Sequence, residues 1–210
     1  MPVFRSGDKM PDWCEMVHFD IVQLAPGEDH YFPRIGKKER LFVCEGKCRV
    51  HVHDAAAWYE AGAQLDLTGI GGEFDVVKVS TDTILVRVCG HWGEETGGSG
   101  LFSVTKSNSP FDSGDPVDYT KETSFDCHYH DYDEYWIIYR GRGVAVSEGK
   151  HYIVKVGDCV ATGMGHHHDF PRVASRVDGV FFETTIMGQK RKGHLWNHTH
   201  GPAQPDEERV

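Results

Sequence analysis

The sequence predicts an all-β chain made of two copies of one strand-rich unit. Composition, the punctuation of apolar runs and an internal repeat each point there. The chain has 210 residues with 24 Gly and 9 Pro, and aromatics make up 11% of it. Runs rich in Val, Ile, Thr, Phe and Tyr recur between joints rich in Gly, Asp and Pro, the pattern of strands separated by turns. The repeat is carried by fixed markers. Glu39-Arg-Leu-Phe-Val-Cys-Glu-Gly46 returns as Glu134-Tyr-Trp-Ile-Ile-Tyr-Arg-Gly141. Gly46 precedes Gly62 by 16 positions and Gly141 precedes Gly157 by 16, so the offset between copies is 95 throughout. A further β run closes each copy, Phe74 to Val88 and Phe170 to Thr184.

Each copy has the size and turn density of a small antiparallel barrel or sandwich. The expected boundaries are a first barrel at 1–95, a linker at 96–116, a second barrel at 117–190 and a C-terminal arm at 191–210. The linker contains Gly97-Gly98-Ser99-Gly100 and the turn-rich stretch Ser107 to Pro116. The end of the arm, Gln204 to Val210, reads as solvated chain. One local signal disagrees with the repeat. Asp54-Ala-Ala-Ala-Trp-Tyr-Glu-Ala61 favours helix by propensity, yet the repeat aligns it with a strand region, and the repeat decides.

Charge and cysteine usage narrow the partners. Lys plus Arg is 22 against 32 Asp plus Glu, a net charge of −10 with no basic cluster, so nucleic acid and anionic membranes would be repelled. No apolar run approaches the roughly 20 residues of a membrane span. The first residues, Met1 to Asp8, carry no apolar signal core, and a cytoplasmic location is expected. Cys14, Cys44, Cys48, Cys89, Cys127 and Cys159 form no Cys-x-x-Cys pair and read as free, buried thiols in a reducing compartment.

The 14 histidines are the outlier in composition. In Phe125-Asp-Cys-His128-Tyr-His130-Asp-Tyr-Asp-Glu134 the two His share a strand face, roughly 6–7 Å apart at about 3.3 Å per residue. Glu134 has the same parity but lies about 13 Å beyond on a straight strand. A reversal at Asp131-Tyr132-Asp133 would set it on the neighbouring strand beside the His pair, with Trp136 and Ile138 as an apolar floor. Further on, Gly157-Asp-Cys-Val-Ala-Thr-Gly163-Met-Gly165-His166-His167-His168 delivers another histidine onto a strand of the same barrel. Three imidazoles and one carboxylate suit a divalent transition metal such as Fe, Mn, Zn, Ni or Co, with positions open to water or substrate.

These stretches resemble the paired motifs of the cupin family, Gly-x5-His-x-His-x3-4-Glu-x6-Gly and Gly-x5-Pro-x-Gly-x2-His-x3-Asn. His128, His130, Glu134 and Gly141 fit the first, with Glu122 in place of its opening Gly. Gly157, Gly165 and His168 fit the second, with Gly163 in place of Pro and Arg172 in place of Asn. The resemblance implies two tandem cupin-type jelly-roll β-barrels from an internal duplication. It also implies His168 as the fourth ligand, with His166 and His167 as adjacent alternatives. The first copy departs from the motif. At the offset, His128 maps to Pro33, His130 to Ile35 and His168 to Glu73, and Glu39 alone is retained, so one metal site is expected. His30, His51 and His53 could form a separate site; His51 and His53 share parity, but no third ligand falls at a matching position.

Other residues carry weaker expectations. Glu134 doubles as a catalytic candidate, and Trp136 as a lining residue for substrate. Arg172, four past His168, would share its face and clamp a substrate carboxylate; a surface Arg is the ordinary alternative. Glu183 becomes a general-base candidate if its parity faces inward, against the commoner exposed face. The histidines of Gly193 to His200 read as an arm covering a barrel or a subunit, with capping of the pocket as the alternative. The resulting expectation is an enzyme using its ion as a Lewis acid on a sugar or small hydroxy or keto acid, as isomerase, epimerase or lyase. A non-haem iron dioxygenase and a non-catalytic small-ligand binder are the alternatives. Monomer and homodimer both fit, since two tandem barrels can pair internally.

Overall fold

A computed structural model describes residues 3–52, 55–67, 74–107, 113–186 and 191–210. The strands are β1 (Val3–Arg5), β2 (Met16–Leu24), β3 (His30–Phe32), β4 (Lys38–Glu45), β5 (Lys47–Val52), β6 (Ala55–Glu60), β7 (Gln64–Asp66) and β8 (Phe74–Val79). They continue as β9 (Thr83–Gly90), β10 (Ser99–Thr105), β11 (Glu134–Ser147), β12 (Lys150–Lys155), β13 (Asp158–Thr162) and β14 (His168–Glu183), followed by one helical turn, α1 (Asn197–His200). The sheets are antiparallel and the fold is all-β. The segment with helical propensity is strand β6, paired along its length with β5: tertiary pairing overrides local preference. Among the described residues no helix is long and apolar enough to cross a membrane.

The chain divides into two compact units. The first is Glu15–Trp92; the second joins the residues up to Cys14 with Gly93–Val210. The first unit has two four-stranded sheets, ordered β2-β9-β4-β7 and β3-β8-β5-β6. Phe32, Leu41, Val43, Val50, Val76 and Leu85 fill its core. The second has one sheet ordered β1-β13-β11-β14-β10, with β12 also on β11. Its core includes Trp136, Ile138, Val154, Phe170 and Val177. Repeat markers Gly46 and Gly141 have φ of 78° and 81°, and a Cβ there would stand 2.2 Å from Asp82 O and 2.0 Å from Arg176 O. Only glycine fits either turn.

Two boundaries differ from expectation. Residues 3–5 pair with β13 as a strand of the second unit, with Arg5 Nε 3.2 Å from Asp158 Oδ1. The expected linker at 96–116 contains β10, paired with β14 over seven residues. Both pairings join segments far apart in sequence, which spacing between motifs does not show. All six cysteines are free and buried.

In the first unit the one retained ligand-type residue, Glu39, is fully buried among donors. Its Oε1 accepts from the N–H of Ile35 at 2.6 Å and of Gly36 at 3.1 Å, and Arg34 Nε is 3.3 Å away. The buried Arg87 guanidinium lies 3.5 Å from Oε2, donates to Pro33 O at 2.8 Å and pairs with Asp20. A side-chain cation thus neutralises this carboxylate, between the two residues that replace the histidines. Glu73 and His53 lie outside the described residues.

Candidate metal centre

Short pairings, rather than one regular strand, position the ligands. His128 exchanges backbone hydrogen bonds with His168, at 3.2 and 2.9 Å, and Tyr129 exchanges two of 3.0 Å with Leu195. The chain bends at 131–133, and Glu134 then opens β11 opposite Glu183 of β14 and Thr162 of β13. His168 opens β14. The reversal expected at Asp131-Tyr132-Asp133 therefore brings Glu134 to the histidine pair.

His128, His130, Glu134 and His168 each offer one ligand atom, and these atoms lie within 4.8 Å of one another. All four residues are buried. The far ring nitrogens are tied down. Nδ1–H of His128 donates to Asp126 O at 2.9 Å, that of His130 to Gly193 O at 2.9 Å, and that of His168 to His166 O at 3.1 Å. A proton on each Nδ1 leaves a lone pair on each Nε2. All three Nε2 atoms and Glu134 Oε2 are buried without a hydrogen-bond partner. Oε2 nevertheless sits 2.8 Å from His168 Nε2 and 3.3 Å from His130 Nε2. Acceptors facing acceptors at these distances, out of reach of water, need a positive charge between them, a shared proton or a metal ion. The donor set fits a divalent transition metal.

The electrostatics reflect the same crowding. Burial, then the neighbouring His168 and His130, hold the His128 pKa well below the ordinary imidazole value. Burial lowers His168 as well, outweighing Glu134. His130 is raised, because Glu134 and Glu183 outweigh its burial. Glu134 is held well below the carboxylate range, its burial overcome by His130 and His168.

The triple-histidine run resolves cleanly. His166 Nε2 pairs with Asp206 O at 2.9 Å and His167 Nε2 with Asp115 Oδ2 at 2.9 Å, which leaves His168 for the cluster. Trp136 is buried, its ring 5.2 Å from that of His168 and surrounded by Phe102, Phe125 and Phe170, so it forms the apolar floor. Arg172 requires a correction. It is exposed and lines a separate cleft of about 630 Å³ with Glu122, Arg142, His151 and Ile153. A register shift between Val144 and Val146 places a bulge in β14 after Asp169, so Phe170 and Val173 both face the core and Arg172 faces outward.

The structure adds residues that the motifs do not name. Glu183 is buried and turned inward, with Oε1 4.0 Å from His130 Nε2. His194 of the arm stacks on His128 at 3.7 Å and 4°, and its Nδ1 lies 2.9 Å from Asp126 Oδ2. The arm therefore supplies the carbonyl that orients His130 and a ring that covers His128. The expected solvated tail is anchored instead. Arg209 pairs with buried Asp133, and the Asp206 N–H donates to Met164 O at 3.1 Å. Gly163 and Gly165 leave room for this tail, since a Cβ would stand 2.4 Å from Arg209 O and 2.2 Å from Gln204 O. That close approach accounts for Gly163 where the second motif has Pro.

No family model matches the chain. It is 45% identical to the uncharacterized protein y4oW of Sinorhizobium fredii, over all of this chain and 97% of that one. Among solved structures, an IolB-like protein of Salmonella typhimurium is similar at 14% identity and TM-score 0.59, covering 95% of this chain and 98% of that one. Oxalate decarboxylase of Bacillus subtilis is similar at 9% identity and TM-score 0.54, covering 89% and 76%. The full-length likeness to y4oW places the two proteins in one family, and the likeness to these solved structures shows that the chain has an all-β fold of the cupin type.

Proposed function

We propose that this protein is a metal-dependent enzyme acting on a sugar or a small hydroxy or keto acid, in isomerase, epimerase or lyase chemistry. His128, His130, Glu134 and His168 would hold a divalent transition ion. When bound, that ion supplies Lewis acidity, polarising a carbonyl and offsetting charge that develops on substrate oxygens. The chain's own groups do the rest. The backbone carbonyls of Asp126, Gly193 and His166 fix the three rings. Trp136 and its aromatic neighbours exclude water from below. Glu183 stands beside His130 as a carboxylate able to receive a proton. The observation that carries this reading is the set of four buried, partnerless, converging ligand atoms.

The test begins with metal analysis, which should give about one ion per chain, lost in the His128→Ala/His130→Ala double variant. Metal-loaded protein is then incubated in D2O with a panel of sugars and hydroxy and keto acids. Deuterium incorporated next to a carbonyl, without oxygen consumption, is the expected result. Substrate-dependent oxygen uptake would overturn the Lewis-acid reading in favour of a dioxygenase. Ligand-induced stabilisation with no turnover across the panel would favour a binding protein.

A further inference from the structure

We infer that Glu183 sets the charge class of the ligand, so that the centre takes an uncharged hydroxyl-bearing carbonyl compound and rejects a dicarboxylate. The inference rests on the metal-centre reading above and narrows its substrate range.

Glu183 is a second carboxylate at a site whose motif provides one. Its position is built with care. The Gly98 N–H donates to Oε2. Beside it, the Tyr132 hydroxyl donates to Gly193 O at 3.5 Å and accepts the Gly193 N–H at 2.9 Å, and its ring stacks on His130 at 4.8 Å and 17°. Gly97 completes the cradle. A Cβ there would stand 2.4 Å from Glu183 Oε2, 2.6 Å from Glu183 Cβ and 2.8 Å from Tyr132 Cζ. Any side chain at 97 would displace the carboxylate. The remaining oxygen, Oε1, is thereby directed at His130 Nε2, the atom that faces the centre. Among the described residues, His130 is the one basic group within 4.0 Å of Glu183.

The charge balance follows. Three neutral imidazoles, Glu134 and a divalent ion leave a single net positive charge, and Glu183 cancels it. A dicarboxylate would enter a buried, already neutral site and face a fixed carboxylate of its own sign. An uncharged hydroxycarbonyl leaves the balance at zero, and its hydroxyl can donate to Glu183.

The test uses full-length protein loaded with Mn2+, with oxalate and dihydroxyacetone as probes. Binding is read by thermal shift and by water-proton relaxation, and metal stoichiometry is measured alongside. In Glu183→Gln, which keeps the shape and removes the charge, oxalate should bind at least about tenfold more tightly than in wild type, and dihydroxyacetone more weakly. Glu183→Asp retains the charge and should retain the wild-type preference. Unchanged or weaker oxalate binding in Glu183→Gln, with metal retained, overturns the inference. Loss of Mn2+ in Glu183→Gln alone also overturns it, by making Glu183 a ligand. Failure of wild type to hold Mn2+ removes the metal-centre reading itself.

Discussion

Arg87→Leu tests the electrostatics of the first unit without reference to any metal. Arg87 is 3% exposed and Glu39 is fully buried. The substitution removes the guanidinium 3.5 Å from Glu39 Oε2, its 2.8 Å bonds to Pro33 O and Asp20, and its stacking 4.8 Å from the Phe32 ring. Removing one partner of a buried ion pair costs about 3–5 kcal/mol. Glu39 keeps Arg34 and the Ile35 and Gly36 N–H donors, which sets the loss near the lower end, about 3 kcal/mol. For a unit the size of Glu15–Trp92, about 4–8 °C per kcal/mol gives a fall of about 12–24 °C in the midpoint of its thermal transition. Circular dichroism melts and urea titrations measure both quantities. The Arg87→Leu/Glu39→Leu double variant removes both members of the pair but takes Arg87 from Asp20, Glu39 from Arg34 and the acceptor from the Ile35 and Gly36 N–H groups, so it should recover part of the loss. A single-variant loss below about 1 kcal/mol, or a double variant no better than the single, would refute the reasoning.

Acidification should destabilise the metal-free protein. The folded state holds His128 and His168 below 6.5, so the unfolded chain takes up those protons first, and stability present above pH 6.5 is lost as pH falls through the depressed values. His30, lowered by burial, adds to this, and His130, which is raised, opposes it. Urea midpoints in chelator at about pH 7.5 and 5.5 measure the balance, and a midpoint that rises on acidification contradicts it. Gly165→Ala should detach the tail, because φ is +78° and the new Cβ would meet Gln204 O at 2.2 Å. A loss of about 1–3 kcal/mol and faster proteolysis after residue 200 are expected; wild-type protease resistance would count against the anchoring.

The clustering of His128, His130, Glu134 and His168 was legible because its geometry is local. His128 and His130 are two apart, and a turn-compatible tripeptide follows them before Glu134. The duplication was legible because glycines at positive φ recur at fixed spacing. What escaped depends on events that local alternation does not encode. The bulge in β14 exchanges inward and outward positions between His168 and Arg172. Glu183 faces inward on a strand whose opposite face, at Phe182, is also buried, so parity could not choose between them. Gly97 and Gly98 resemble linker residues in composition, yet they serve close approach to a carboxylate. The pairings of β1 and β10 join distant segments through backbone groups that carry no side-chain signature.

The way the second unit is closed has a consequence for biogenesis. Its strands and braces include residues 3–5 at one extreme and Asp206 and Arg209 at the other, whereas Glu15–Trp92 is contiguous in sequence. The earlier-made unit can therefore mature while the ribosome is still translating. The brace of Arg209 on Asp133, next to Glu134 of the histidine cluster, forms only after residue 209 has been made.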